Sequence, residues 1–348
     1  MNWFGPAAAD IPPSVAMLRM ISGFRVSRAI YVAAKIGLAD LVKDEPKSSV
    51  ELARATGTHA PSLYRVMRAL ASVGIFAEDD QGRFASTPLA ATLRTDAPGS
   101  LRTWAMLVLG EETYQAWGEL MHSVGTGETA FDHVFGMGVW QYRAQHPEHA
   151  RIFDQAMANL GGVFNAAVLA SYPFATIDKV VDVAGGDGSF IATLLQANPK
   201  MKGLLFDLPD VAEKAKQRLA AARLTGRCEI VAGDAFASVP GGGDLYVLSR
   251  VVHDWDDDRA VALLRNCARA MTVKARLLLV EMVFPARAER SASVQSLLMS
   301  DLSMMVMTGG RERTAAEHQA LFEAAGLKLT KIIGTPSAMS VIEGARAP

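Results

Sequence analysis

Lys179-Val180-Val181-Asp182-Val183-Ala184-Gly185-Gly186-Asp187-Gly188-Ser189-Phe190 is the stretch on which the fold turns. Lys179 to Val183 read as a buried strand, the glycines as a tight turn, and residues 189–197 as the helix that follows. Glycines placed directly after a strand let backbone and ligand approach closely. A dinucleotide fingerprint needs a small residue where this sequence has Ile191, since from Gly186 the frame reads G-D-G-S-F-I. A phosphate-cradling P-loop is excluded as well, because no Gly-Lys-Ser/Thr follows.

Downstream, short apolar runs alternate with helical ones. Strands are predicted over 203–207, 228–232, 244–248 and 276–281, with helices over 209–222, 256–271 and 314–325. The tail 327–345 holds two more strand candidates around Pro336. That alternation predicts an α/β, parallel, doubly wound sheet, and such sheets bind ligands off the carboxyl ends of their strands. Asp207 ends the second strand, where a carboxylate accepts hydrogen bonds from ribose hydroxyls. Asp234, in Gly233-Asp234-Ala235-Phe236, is expected to frame an adenine with its neighbouring ring. With no pyrophosphate grip, the crevice favours S-adenosyl-L-methionine over a nicotinamide dinucleotide. Either carboxylate alone would serve equally well as a helix cap.

After the fourth strand comes Val251-Val252-His253-Asp254-Trp255-Asp256-Asp257-Asp258. A histidine at a strand's carboxyl end faces the same crevice and suits general-base work near neutral pH. Glu281 ends the fifth strand and Glu312 sits in Gly309-Gly310-Arg311-Glu312-Arg313-Thr314; either could hold the imidazole's second nitrogen. Asp256, Asp257 and Asp258 are read as the start of the next helix. They make a poor metal site with His253, because adjacent helix positions point apart, and no metal is expected.

Upstream, residues 14–43 carry helical spacing expected to break near Gly23 and Gly37. Ser48 and Glu51 form a capping-box pattern before a short helix, residues 61–73 make a second helix, and 74–77 with 83–86 a small hairpin. Together they describe a winged helix. DNA recognition needs basic residues in quantity, yet the second helix offers only Arg65 and Arg68, and the wing offers Arg83 among acids. A DNA-binding regulator is therefore the weaker reading against a packing or dimerisation module. The whole chain balances 35 basic against 36 acidic residues, which argues against nucleic-acid and polybasic membrane partners alike. Two cysteines are too few for a disulfide framework, no signal peptide is seen around Trp3 and Phe4, and no apolar run is long enough to span a bilayer. A cytoplasmic protein of about two domains is expected for a chain of 348 residues.

The blocks VDVAGGDGSF, LLFDLPDV, AGDAF, VVHDWDDD, VEMVFP and GGRERT occur in the order and spacing of a known family. The sequence resembles the plant-type small-molecule O-methyltransferases and their bacterial relatives from pigment and antibiotic pathways. The likeness continues upstream through FDHVFGMGVWQYRAQHPEHARIFDQAM. It implies a Rossmann-like class I methyltransferase domain over residues 101–348, of which 101–175 form a helical linker and acceptor-pocket region. Residues 1–100 would be a winged-helix-like dimerisation domain, giving a homodimer. The cofactor would be S-adenosyl-L-methionine, held by Asp182, Ala184, Gly185, Gly186, Gly188, Asp207, Leu208, Asp234, Ala235, Phe236 and Ser249. His253 would be the general base flanked by Glu281 and Glu312, with Phe153, Met157, Asp254 and Met304 on the acceptor side. Two departures stand out: Ala184 replaces the first of three glycines, and Ser249 stands where many plant members have a cofactor-contacting lysine. The resemblance implies O-methylation of an aromatic or polyketide hydroxyl; N-methylation or a non-transfer reaction is the alternative within the family.

Overall fold

The computed structural model describes residues 11–347, so Trp3 and Phe4 lie outside the described residues. The chain forms two compact units. One comprises the residues up to Tyr114 together with Arg151–Asn159, the other Gln115–Ala150 and everything from Leu160 onward.

The larger unit is built on seven strands: β1 Lys179–Val183, β2 Lys202–Asp207, β3 Cys228–Ala232, β4 Leu245–Ser249, β5 Arg276–Glu281, β6 Leu327–Gly334 and β7 Ser340–Arg346. Their spatial order is β6-β7-β5-β4-β1-β2-β3. Burial explains the order. β1, β2, β4 and β5 are buried along nearly their whole length, whereas β3 and β6 have exposed positions and take the edges. Alternate residues feed two cores. Val180, Val247, Leu278 and Val280 pack with Phe190, Leu194 and Leu195 on one face. Val181, Val183, Tyr246, Leu248, Leu277 and Leu279 pack with Leu263, Leu264 and Phe322 on the other. One expectation is corrected: the sheet is not wholly parallel, because β7 pairs antiparallel with both β5 and β6. Only five residues join β6 to β7, too few for a crossover, so the chain turns back as a hairpin.

In the smaller unit the helices Ser49–Thr56 and Ala60–Ser72 precede a hairpin of Phe76–Glu78 and Arg83–Ser86. A two-residue strand, Lys47–Ser48, adds to the hairpin. The capping box is formed: the Ser48 hydroxyl accepts from the Glu51 amide, and the Glu51 carboxylate accepts from the Ser48 amide. Leu52, Leu63, Met67, Leu70, Phe76 and Phe84 close the core. The expected break at Gly23 is absent, since the helix Pro13–Lys35 runs through it. One glycine costs a helix about 1 kcal/mol, too little to interrupt one of this length. Gly37, with φ of 71°, does end the run. No helix among the described residues is long and apolar enough to cross a membrane.

Candidate active site

Parallel register brings the carboxyl ends of β1, β2, β4 and β5 to one edge, and the functional side chains hang from there. After β1 the backbone passes through three left-handed residues, Ala184 (φ 54°), Gly186 (φ 60°) and Gly188 (φ 78°). Alanine is strained in that region, yet the departure at Ala184 leaves the turn intact because its amide is bonded to the Phe206 carbonyl at 2.8 Å. Gly185 has no room for a side chain: a Cβ would lie 2.8 Å from Asp182 Oδ2 and 3.1 Å from Leu205.

Asp207 is tied into this loop. Its Oδ2 accepts the Gly186 amide at 2.8 Å, and its Oδ1 accepts the Leu208 amide at 2.7 Å. Asp182, 1% exposed, lies beneath, and neither of its oxygens has a hydrogen-bond partner. Burial first, and the Asp207 charge second, push its carboxyl up to about 8. Asp234 stands two residues beyond β3, exposed, and accepts the Phe236 amide at 2.8 Å. The Phe236 ring meets Trp255 edge-on, with Arg259 over both rings. Leu208 is half exposed and Ser249 closes β4.

The second cluster grows from β4 and β5. Val252–Asp254 form a single 3-10 turn, and His253 Nδ1 donates to Glu281 Oε2 at 2.6 Å. The other Glu281 oxygen accepts the Val251 and Val252 amides at 2.9 and 2.8 Å, so one buried carboxylate holds both the turn and its imidazole. Between the two expected partners, the nitrogen goes to Glu281. Glu312 comes alongside because the pair Arg313–Thr314 aligns in parallel with Val283–Phe284. Its Oε1 accepts from the Ser300 hydroxyl at 3.2 Å, while its buried Oε2 has no partner.

Electrostatics follow from this packing. Burial alone would depress the His253 imidazole, but Glu281 foremost and Asp254 next outweigh it and push it up to about 10. Burial would raise Glu281, but the His253 charge and its hydrogen bond hold it below the ordinary range. Glu312 is pushed up to about 7 by burial, with the Glu281 charge adding to the rise and His253 opposing it. Asp254 rises to about 6, chiefly through burial, and its Oδ1 lies 3.7 Å from His253 Nε2. Ligand atoms of His253, Glu281 and Glu312 fall within 4.8 Å of one another. That spacing would admit a cation, but both Glu281 oxygens are already committed to the turn and the imidazole.

The remaining expected residues are distributed as follows. Met304 lies on the helix Ala292–Met307, which the sequence pattern missed because its mixed Ser and Met positions carry no clear helical period. Phe153 and Met157 lie on the helix Pro147–Ser171, within the stretch that belongs to the first unit. Asp256 caps the helix Asp257–Ala270 as expected, accepting the Arg259 amide.

Residues 117–328 match the family model described as the O-methyltransferase domain, and residues 18–96 match the O-methyltransferase dimerisation domain. The phenazine O-methyltransferase PhzM of Lysobacter antibioticus is 44% identical over 336 residues, covering 97% of each chain. The chain belongs to the O-methyltransferase family. The crystal structure of LaPhzM has a TM-score of 0.92 at 44% identity, covering 97% of this chain and 100% of that one. A crystal structure of the O-methyltransferase NcsB1 from neocarzinostatin biosynthesis, in complex with S-adenosylmethionine and 2-hydroxy-5-methyl naphthoic acid, has a TM-score of 0.86. It is 33% identical and covers 98% of this chain and 100% of that one. The phenazine-1-carboxylate N-methyltransferase of Pseudomonas aeruginosa is 31% identical, covering 95% of this chain and 97% of its own.

This O-methyltransferase uses S-adenosyl-L-methionine, and the residues of the crevice fit it. An orphaned buried carboxylate calls for a cation, and the cofactor carries both an ammonium and a sulfonium. Asp182 offers that carboxylate beneath a loop where a side chain at Gly185 would not fit.

Proposed function

We propose that this O-methyltransferase acts on a hydroxyl of a flat aromatic acceptor, with His253 as general base. The observation that carries the reading is the 2.6 Å bond from His253 Nδ1 to Glu281, which fixes the tautomer and leaves Nε2 to face an acceptor. A phenolic hydroxyl has a pKa of about 10. Glu281 and Asp254 raise the imidazole above its ordinary value, which makes it a stronger base toward that proton than a free histidine. When bound, the cofactor supplies an electrophilic methyl on a sulfonium, whose charge also disfavours a protonated imidazole. His253 takes the hydroxyl proton, Glu281 balances the charge that forms on the ring, and Glu312 borders the same space. Asp182, Asp207, Leu208, Asp234, Ala235, Phe236, Ser249 and the loop Ala184 to Gly188 would hold the cofactor. Phe153, Met157, Asp254 and Met304 are assigned to the acceptor, since methionine adapts to the edge of a flat ring.

The similarity to a phenazine O-methyltransferase directs the first acceptors to try, hydroxyphenazines beside hydroxynaphthoates. The test is release of S-adenosylhomocysteine with mass-spectrometric detection of the methylated product, for the native enzyme and His253→Ala. Transfer to ring nitrogen alone, or full activity of the variant, would overturn the reading.

We further infer a homodimer formed through the smaller unit. Met17, Leu18, Met20, Ile21 and Phe24 on the helix Pro13–Lys35 are each more than half exposed, a patch suited to a second copy. The winged helix offers little to DNA: Arg68 lies 3.4 Å from Glu78 and Arg83 lies 2.9 Å from Asp79, so these two cations are engaged within the motif. Light scattering reads the dimer, and fluorescence anisotropy with duplex DNA at low salt should show no binding.

A further inference from the structure

Arg313 is 1% exposed and belongs to no role yet described. Its guanidinium carries five N–H donors; it makes four hydrogen bonds, and Nη2 adds an ion-pair contact. Nε and Nη2 reach Asp257 Oδ1 at 2.9 and 2.8 Å, and Nη2 also donates to the Trp255 carbonyl at 2.8 Å. Nη1 donates to the Val252 and Arg311 carbonyls at 3.1 and 3.2 Å. Val252 and Trp255 bracket His253 and Asp254, so one side chain grips the base-bearing turn by its carbonyls. Glu281 grips the same turn by its amides. Gly310 presses on it from the same segment, where a Cβ would lie 2.0 Å from the His253 carbonyl oxygen. The parallel pairing of Arg313 with Val283 places this clamp beside the strand that delivers Glu281.

The geometry points to Arg313, backed by Gly310, as the positioning residue that holds His253 in bonding distance of Glu281. The inference rests on His253 being the base. A turn gripped only by Glu281 could pivot about that carboxylate; gripped on both sides, it cannot rotate the imidazole away. A buried arginine used for shape alone would do as well with any contact to one partner. This one spans three backbone carbonyls and a carboxylate, a pattern only a planar fork satisfies.

Arg313→Lys tests this, since an ammonium has three donors and cannot span the turn. Turnover should fall by about 10²-fold, the scale of a misplaced catalytic group, while S-adenosyl-L-methionine affinity stays within about two-fold. The acid limb of the kcat profile should move to lower pH, because a displaced imidazole loses the Glu281 charge that raises it. A merely structural arginine would lower the melting temperature and leave that limb in place. Asp257→Asn, at a half-exposed position on a helix start, and Gly310→Ala supply the same reading if Arg313→Lys does not fold. An unmoved limb with near-native kcat in the folded variants overturns the clamp. The control is His253→Ala: full activity there rejects the base itself, whereas an inactive His253→Ala beside an unmoved Arg313→Lys rejects only the clamp.

Discussion

His253 Nδ1 donates to Glu281 across 2.6 Å, and the same carboxylate is anchored by two backbone amides of the turn that carries the histidine. Geometry and basicity are therefore set by one residue. Replacing Glu281 with Gln keeps an acceptor but removes the charge that pushes the imidazole up to about 10. The base works only when neutral, so the rate rises with pH through the imidazole's pKa, and the acid limb of Glu281→Gln should lie below the native one. His253→Ala should cost about 10²–10⁴-fold in turnover. A pH–rate series on the three enzymes checks both; an unshifted limb in Glu281→Gln would separate the charge from the mechanism.

The dyad also bears on stability, with a definite sign. A histidine raised from 6.5 to about 10 in the fold stabilises fully below pH 6.5, and that contribution is lost as pH rises through about 10. Unfolding of native enzyme and His253→Ala, compared from pH 6 to pH 10.5, should show the native advantage shrinking toward alkali. An advantage that grows with pH would contradict the raised imidazole.

Cofactor binding should release protons. Asp182, raised to about 8, and Glu312, raised to about 7, are largely or partly protonated at neutral pH, and an arriving cation favours their ionised forms. Affinity for S-adenosyl-L-methionine should then climb from pH 6 to pH 8, less so in Asp182→Asn. Calorimetry in two buffers of different ionisation enthalpy counts the protons, and net uptake would sink the idea.

Gly185→Ala places a methyl 2.8 Å from Asp182 and 3.1 Å from Leu205. Overpacking of this kind costs about 1–3 kcal/mol, and here the strain falls on the cofactor loop. Weaker cofactor affinity together with a lowered unfolding transition is the expected pattern. Native affinity would mean the loop accommodates the methyl.

Asp207→Ala removes the acceptor of the Gly186 and Leu208 amides as well as any hold on a ribose. Cofactor affinity should drop, and hydrogen exchange at the Gly186 amide should accelerate even in the free enzyme. Slow exchange at Gly186 would show that the loop stands without the aspartate.

The run from Lys179 to Phe190 carried most of the fold because a fully buried strand, a glycine turn and a helix start leave few alternatives. The reversal of β7 went unread, because strand propensity carries no direction and the alternation upstream pointed to a parallel sheet; the five-residue link, too short for a crossover, shows itself only once the strand ends are placed. Which glutamate would bond His253 was not legible. Glu281 and Glu312 are far apart in sequence, and their arrangement depends on a two-residue parallel bridge with no pattern of its own. Arg313 was hidden for a related reason: charge reads as surface, and only the converging carbonyls of Val252 and Trp255 show why it is buried.

The placement of β7 between β5 and β6 carries a consequence for biosynthesis. Residues 340–346 come later in sequence than both strands they join, so an emerging chain presents the flank of β5 unpaired until they arrive. At about 5–20 residues per second, that interval is a window in which a bare strand edge can pair with a neighbour's. Ribosome stalling or truncation before Ser340 should therefore yield aggregation before it yields an inactive monomer.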